Sequence, residues 1–473
     1  LTHLQQLTPA DDEGGVIAAR RADAQLGLDA LDLARQEIDD LLARYPKHRR
    51  GLALKARLLV KQDRPAEAQK VAREAVAADR TSAEARVVLA DTLTTAGELD
   101  GAFTEYVEAL RLDPARTHLV PILANLALAT GRNQPALAFG RQAVGLFPDD
   151  EGAKIAVATA QVRLRDYSAA ATALAPLLRV RPRPLRVHVL VGQLAAGRGQ
   201  EAAARAAFAA ALKTDPDSLE ALAGLVDLDL SRQQVPAARR RIDAVMARRP
   251  ADAAVLKLAS RVFRAEHDLP GEESVLRRAL ALQPADTEAA LLLADTLVAR
   301  TSYDEAKALL EQVLKRSPDS GPAQTALGAV LERLGRPDDA ETRYKSVLAA
   351  HPGDGPAATR LALLHIAMGK NLDVALGHLS EAKRSSPDDP GVSDALGWVY
   401  LQKNLRLLAV EQLEEATRLS PQTPTFQYHL GVAYARTGAV AKARAALTKA
   451  LALDGGFADR SNAEGALAAL DKP

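Results

Sequence analysis

The chain contains no cysteine, and only 3% of its 473 residues are aromatic. The first absence excludes disulfide staples and thiolate metal sites and leaves the redox compartment open. The second excludes a core built around large rings. The 48% hydrophobic content is largely Ala and Leu, the make-up of helices packed at short distance. An excess of charge is missing too: 61 Lys and Arg face 60 Asp and Glu. No general field favours phosphate backbones or anionic lipid, so neither nucleic acid nor a membrane surface is an expected partner. No window approaches the roughly 18 uninterrupted apolar residues of a spanning helix, and Leu1 to Gly15 has neither a basic start nor an apolar stretch of signal type. A soluble chain is expected, with no direct membrane insertion. The Leu start leaves room for a removed start, signal or anchor segment, while Lys472-Pro473 reads as a natural end.

Proline carries the organisation. Pro46, Pro114, Pro148, Pro182, Pro216, Pro250, Pro284, Pro318 and Pro352 fall on one grid of 34 residues, with Arg80 at the only other point between them. After a single-residue insertion near Lys370 to Asp373 the grid resumes at Pro387 and Pro421 and closes at Gly455. Twelve residues before each grid point stands Ala, from Ala34 to Ala443, except at Glu272. Twenty-four residues before it, or twenty-five in the unit with the insertion, stands a small residue, from Ala22 to Gly431, except at Val226.

These columns describe a helical hairpin. Turn-formers such as Gly97, Gly131, Gly335 and Gly438 sit where a first helix must stop. A second helix then runs to the grid proline, which cannot continue it. The small residue and the Ala are expected to face each other where the helices cross, so that their backbones approach closely. Pro176 inside the second helix of the fifth unit predicts a local kink. Glu272 and an interrupted turn at Pro270-Gly271 mark the eighth unit as weak, and Arg21 and Lys55, standing where Leu is expected, mark the first two.

Leu396-Gly397-Trp398-Val399-Tyr400 with Ala409 and Pro421, and Leu430-Gly431-Val432-Ala433-Tyr434 with Ala443, resemble the tetratricopeptide repeat. That resemblance implies an all-α, right-handed superhelical solenoid of about thirteen 34-residue helix-turn-helix repeats with a C-terminal capping helix. The units are expected at 15–48, then every 34 residues to 354, then 355–389, 390–423 and 424–457. Residues 1–14 form a leader, and 458–473 a capping helix and tail of the kind solenoids need.

Catalysis needs polar groups converging in a water-excluded pocket, and stacked hairpins offer an open surface. No two of the nine histidines stand three or four residues apart, as a zinc-binding helix requires. Gly197-Arg198-Gly199-Gln200-Glu201-Ala202 imitates a dinucleotide fingerprint but follows a helix, on the turn every unit possesses. The run Arg239-Arg240-Arg241 and the pair Arg248-Arg249 read as solvated outer faces. No cofactor, metal or catalytic residue is expected, and the chain is read as not an enzyme.

In the family the inner wall is formed by positions two, five, nine and twelve of each first helix. Carried onto this sequence, that rule puts Lys257, Arg261 and Arg264 on one face, either as an anion-recognising patch or as a solvated face satisfied by Asp227 and Asp295. In the last three units it presents Leu363, Ile366, Trp398, Leu401, Tyr428 and Val432, a cluster suited to anchoring a partner segment. Trp398, the only Trp, has a second reading as a packing residue between neighbouring first helices. The carboxylate clamp of the chaperone-tail type is absent, because Arg261 stands where its Asn should follow Lys257, and Pro121 where its Lys should precede Asn125.

The expected function is a scaffold that binds protein or peptide segments in its groove. The same two motif segments resemble bacterial repeat proteins attached to envelope or exopolysaccharide assembly and export systems, which implies a bacterial cytoplasm or periplasm. The alternative, from another class, is the repeat arm of a larger enzyme such as a glycosyltransferase whose catalytic domain lies outside this chain. The oligomeric state is left open.

Overall fold

The structure, a computed structural model, describes residues 13–179, 183–370, 372–453, 457 and 459–470. The grid points Pro182 and Gly455, most of the expected leader, Asn371 of the insertion, and Lys472-Pro473 lie outside the described residues. All regular structure among the described residues is helical, and the chain divides into two compact units, Leu1–Arg232 and Gln233–Pro473.

The first unit contains α1 (Val16–Gly27), α2 (Leu31–Arg44), α3 (Arg49–Lys61), α4 (Pro65–Ala78), α5 (Ala83–Thr95), α6 (Leu99–Leu112) and α7 (Leu119–Ala129). It continues with α8 (Asn133–Leu146), α9 (Glu151–Arg163), α10 (Tyr167–Leu174), α11 (Leu185–Gly197), α12 (Glu201–Thr214) and α13 (Leu219–Ser231). From α1 to α11 each odd helix packs on the even helix after it, and all of these but α5 pack also on the next odd helix, so hairpins stack in sequence order.

The second unit opens on α14 (Val235–Arg248), followed by the hairpins α15 (Ala253–Ala265) with α16 (Leu269–Leu282), α17 (Thr287–Ala299) with α18 (Tyr303–Arg316), and α19 (Gly321–Arg333) with α20 (Pro337–Ala350). Then come α21 (Gly355–Ala367) with α22 (Leu372–Ser385), α23 (Pro390–Gln402) with α24 (Arg406–Leu419), and α25 (Pro424–Arg436) with α26 (Val440–Leu453). A final helix, α27 (Arg460–Ala469), packs on α26.

The alanine column forms the floor of the hairpins. Every Ala in it, Ala34 through Ala443, is fully buried, and Glu272 is only 1% exposed. The small-residue column does approach this floor: a Cβ on Gly397 would lie 3.1 Å from the Ala409 carbonyl oxygen. The space above several small residues is filled from the second helix, where the Gly328 Cβ position would be 2.4 Å from the Tyr344 ring.

Three features refine the sequence reading. The second helices stop one residue short of the C-cap that precedes each grid proline, as α8 does at Leu146, with Phe147 as cap and Pro148 beyond. Pro176 does more than kink its helix: α10 ends at Leu174 and a 3₁₀ turn, Leu177–Arg179, replaces the remaining turns. Pro270-Gly271 does not interrupt its turn. Pro270 occupies the first turn of α16, where no N–H is needed, and Asp268 accepts a hydrogen bond from the Gly271 N–H at 2.9 Å.

Candidate functional site

The first helices bury one side in their own hairpin and against their neighbours; positions two and nine are mostly left open, while five and twelve include buried residues such as Ala19, Leu26, Ala53 and Leu128. In the first unit that face is polar and satisfied from within. Asp23 accepts hydrogen bonds from Arg57 at 2.6 Å and Arg50 at 2.9 Å, one repeat along. Tyr106 donates to Asp91, and Asn125 and Thr159 donate to the backbone carbonyls of Pro121 and Ile155.

On α15 the expected basic residues share the open face, but two are committed to ion pairs. Lys257 bridges Asp286 at 2.9 Å and Glu288 at 2.6 Å, both at the start of α17. Burial would lower the Lys257 pKa, but the hydrogen bonds to Glu288 and Asp286 outweigh it and hold it above the ordinary value. Asp286 also caps α17 through the Ala289 N–H at 3.0 Å. Arg264 reaches back to Glu272 at 2.6 Å, the one acid in the alanine column. Arg261 is exposed and likewise not without a partner. Asp286 and Glu288 thus partner Lys257, Glu272 partners Arg264, and the three cations are not a free anion site.

The apolar stripe needs a larger correction. Leu401 is 1% exposed and packs with Leu413, Leu430 and Ala433 inside its hairpin. Tyr428, 8% exposed, lies with Leu447, Phe457 and Ala463, and Leu467 of α27 and Leu470 just after it cover the same cluster. Leu363, Ile366 and Val432 are half-buried. Trp398, also half-buried, stacks on His429 with ring centroids 4.0 Å apart and planes at 20°. His429 Nδ1 in turn lies 2.8 Å from a carboxylate oxygen of the buried Asp394. Neighbouring helices therefore cover most of this stripe, and Trp398 and Tyr428 act first as packing residues.

The Asp394–His429 pair spans 35 residues, one more than the repeat. The same offset links Arg436 to the Leu401 carbonyl and Arg163 to the Leu128 carbonyl. Reading polar residues at this offset, as well as at 34, would have found it. Glu341 was also missed in the sequence: it receives Lys345 at 2.6 Å, Lys370, and His365 at 3.2 Å. These hydrogen bonds, Lys345 first and then Lys370, outweigh burial and pull its pKa down to about 2.

One cavity opens on the first-helix face of the second unit, with a volume of about 330 Å³. Leu291, Asp295 and Val298 of α17, Thr325 and Ala329 of α19, and Arg360 of α21 line it. All but Arg360, which is at position six, occupy positions five, nine or twelve of their units. Surrounding protein raises the Asp295 carboxyl above the usual range, while Arg264 and Arg360 draw it back. Among the described residues no three His, Asp or Glu side chains gather where they could hold a metal ion, and no helix is long and apolar enough to cross a membrane.

Two tetratricopeptide repeat models match, one at residues 53–117, 156–218, 291–354, 325–390 and 395–456, the other at 193–262. No curated protein matches significantly. Among solved structures, a chain of the APC/C hetero-tetramer Cut9–Hcn1 is 12% identical, with a TM-score of 0.43, over 95% of each chain. A chain from Naa15/Naa10 bound to HypK-THB is 18% identical, with a TM-score of 0.34, over 92% of this chain and 68% of its own. A tetratricopeptide repeat protein from Parabacteroides merdae ATCC 43184 is 17% identical, with a TM-score of 0.45, over 53% of this chain and 98% of its own. The matched repeat models cover well over half of the residues, and the chain belongs to the tetratricopeptide repeat family.

Proposed function

We propose that the protein is an interaction scaffold that binds protein or peptide segments along the first-helix face. The observation that carries this is the division of labour within each hairpin. The alanine column and the small-residue column hold the helices together from one side, which leaves many residues at positions two, five, nine and twelve of successive first helices as a partly open strip, of mixed polar and apolar character, within each unit. Such a strip offers recognition groups at a regular spacing to a chain laid across it. The narrower setting, a bacterial envelope or exopolysaccharide assembly and export system, follows from the resemblance of the segments around Trp398 and Tyr428.

Site-specific photo-cross-linking tests both levels. Cross-linkers placed on the first-helix face at positions 295 and 329 should capture a polypeptide, and cross-linkers on the outer faces of α18 and α20 should not. Equal capture from both faces, or none from either, would refute the scaffold reading. Captured partners without any envelope or export component would remove only the narrower setting.

A further inference from the structure

The cavity on α17, α19 and α21 holds two opposite charges that act on one another through space without direct contact. Elsewhere on the same face, Asp23 is held by Arg50 and Arg57, Asp91 by Tyr106, and Lys257 by Asp286 and Glu288. Asp295 and Arg360 line one cavity and make no hydrogen bond or ion pair among the described residues. They come from helices on either side of α19, whose ninth position is Ala329. A methyl group there leaves the hollow open, where a larger side chain would fill it. The floor is apolar, with Leu291, Val298 and Ala329. Thr325 adds a hydroxyl that has no hydrogen-bond partner. Asp354 also borders the cavity, but its carboxylate already accepts the Ala357 N–H at 2.8 Å as the cap of α21.

We infer that this cavity is a docking point for an extended peptide segment in which one aliphatic residue is flanked by a basic residue on one side and an acidic residue on the other. The aliphatic side chain sits over Ala329, the base meets Asp295 and the acid meets Arg360. This specifies the partner of the face proposed above and rests on that reading. Charge-assisted hydrogen bonds in a partly desolvated hollow are stronger than on an open surface. A segment of single charge meets one attractive and one like charge, which discriminates against it. Neighbouring packed helices lie about 8–10 Å apart, so α17 and α21 are two such steps apart. Extended chain advances about 3.3 Å per residue, and with the reach of the side chains a separation of roughly four residues between the two charges fits. Because the pattern reads the same in both chain directions, the order of base and acid is free.

The test uses the full chain and labelled peptides of about twelve residues whose core is Lys-Ala-Leu-Ala-Glu. Comparison peptides carry Lys at both ends of the core, Glu at both ends, or Gly in place of Leu. The mixed-charge peptide should bind roughly tenfold more tightly than each of the others. Asp295→Lys should move the preference to the doubly acidic peptide, and Arg360→Glu to the doubly basic one. Ala329→Phe should weaken binding of the mixed peptide about tenfold with the helical circular dichroism signal and melting temperature retained. Equal affinities for all four peptides, no binding up to about 1 mM, or a preference that survives both charge reversals would overturn the docking point. If position 295 or 329 still cross-links a polypeptide while the charge variants and Ala329→Phe hold that polypeptide unchanged, the scaffold stands and the docking point falls. If no polypeptide cross-links at all, it is the scaffold reading that fails.

Discussion

Glu272 occupies a fully buried column position that alanine fills in the other repeats, and the structure explains it through one partner. Its Oε1 takes Arg264, while its Oε2 is buried without a hydrogen bond. Removing the cation alone should leave a buried uncompensated charge, a loss that can reach about 3–5 kcal/mol in a sealed site. Arg264 is 46% exposed, so solvent screening reduces the expected loss in Arg264→Met to roughly 1–3 kcal/mol. Glu272→Ala should be neutral or stabilising, and the double variant should match it. Urea midpoints read the order, and a double variant as unstable as Arg264→Met would show that the arginine acts by packing alone. Glu341 gives a pH signature. Its folded-state pKa of about 2 lies below the ordinary value of 4.5, so its contribution is complete above about pH 5 and is lost as pH falls toward 2. The melting-temperature advantage of the unmodified chain over Glu341→Gln should therefore shrink across that window. A constant difference from pH 6 to pH 2.5 would contradict it.

At the scale of the helix and its turn, the columns of the sequence carried the fold because they reflect a close approach that every hairpin repeats. Two further columns were present but hidden by residue type. Each hairpin turn has a left-handed residue at the same position, but only six are Gly: Asp29, Asp63, Arg165, Gln233, His267, Thr301 and Asn404 adopt it with φ between 56 and 59°. The helix start uses Ser82, Asp150, Ser218, Asp252, Asp286, Ser320, Asp354 and Asp389 as side-chain caps. Hydroxyl and carboxylate do one job there, and no single letter marks it. Thr301 is the costliest of the turn residues, because a branched Cβ resists positive φ. Thr301→Gly should raise stability by about 1 kcal/mol, read from the urea midpoint; a loss would mean the hydroxyl or methyl has a compensating role. The site was less legible than the fold. Position rules identify the face of a helix, but the burial of Tyr428 depends on α27 and that of Leu401 on Leu413 and Leu430, contacts that no periodicity encodes. Trp398→Ala should accordingly cost about 3 kcal/mol in folding stability of the last hairpins. A wild-type melting profile combined with lost partner affinity would restore Trp398 as an anchor.

Over the whole molecule, contacts run between helices adjacent or next but one in the chain, so stability is built from repeat terms and nearest-neighbour interfaces. Among the described residues there is no strand pairing. In such an array a local defect lowers the stability of its neighbourhood and fades with distance along the chain. The single Trp398 is a natural local reporter, since its ring packs in clusters built from the last two hairpins and α27. Circular dichroism, by contrast, averages over all helices. Leu26→Ala opens a cavity in the first hairpin, where Leu26 is fully buried, and should cost roughly 2–5 kcal/mol there. The expected result is an earlier onset of the helical transition in urea, with the Trp fluorescence midpoint unchanged within about 0.2 M, given m-values of a few kcal/mol per molar. Gly328→Ala, which drives a Cβ into the Tyr344 ring two hairpins before Trp398, should move both signals. If Leu26→Ala shifted fluorescence and dichroism together by the same amount, the chain would unfold as one cooperative body and the nearest-neighbour account would have to be abandoned.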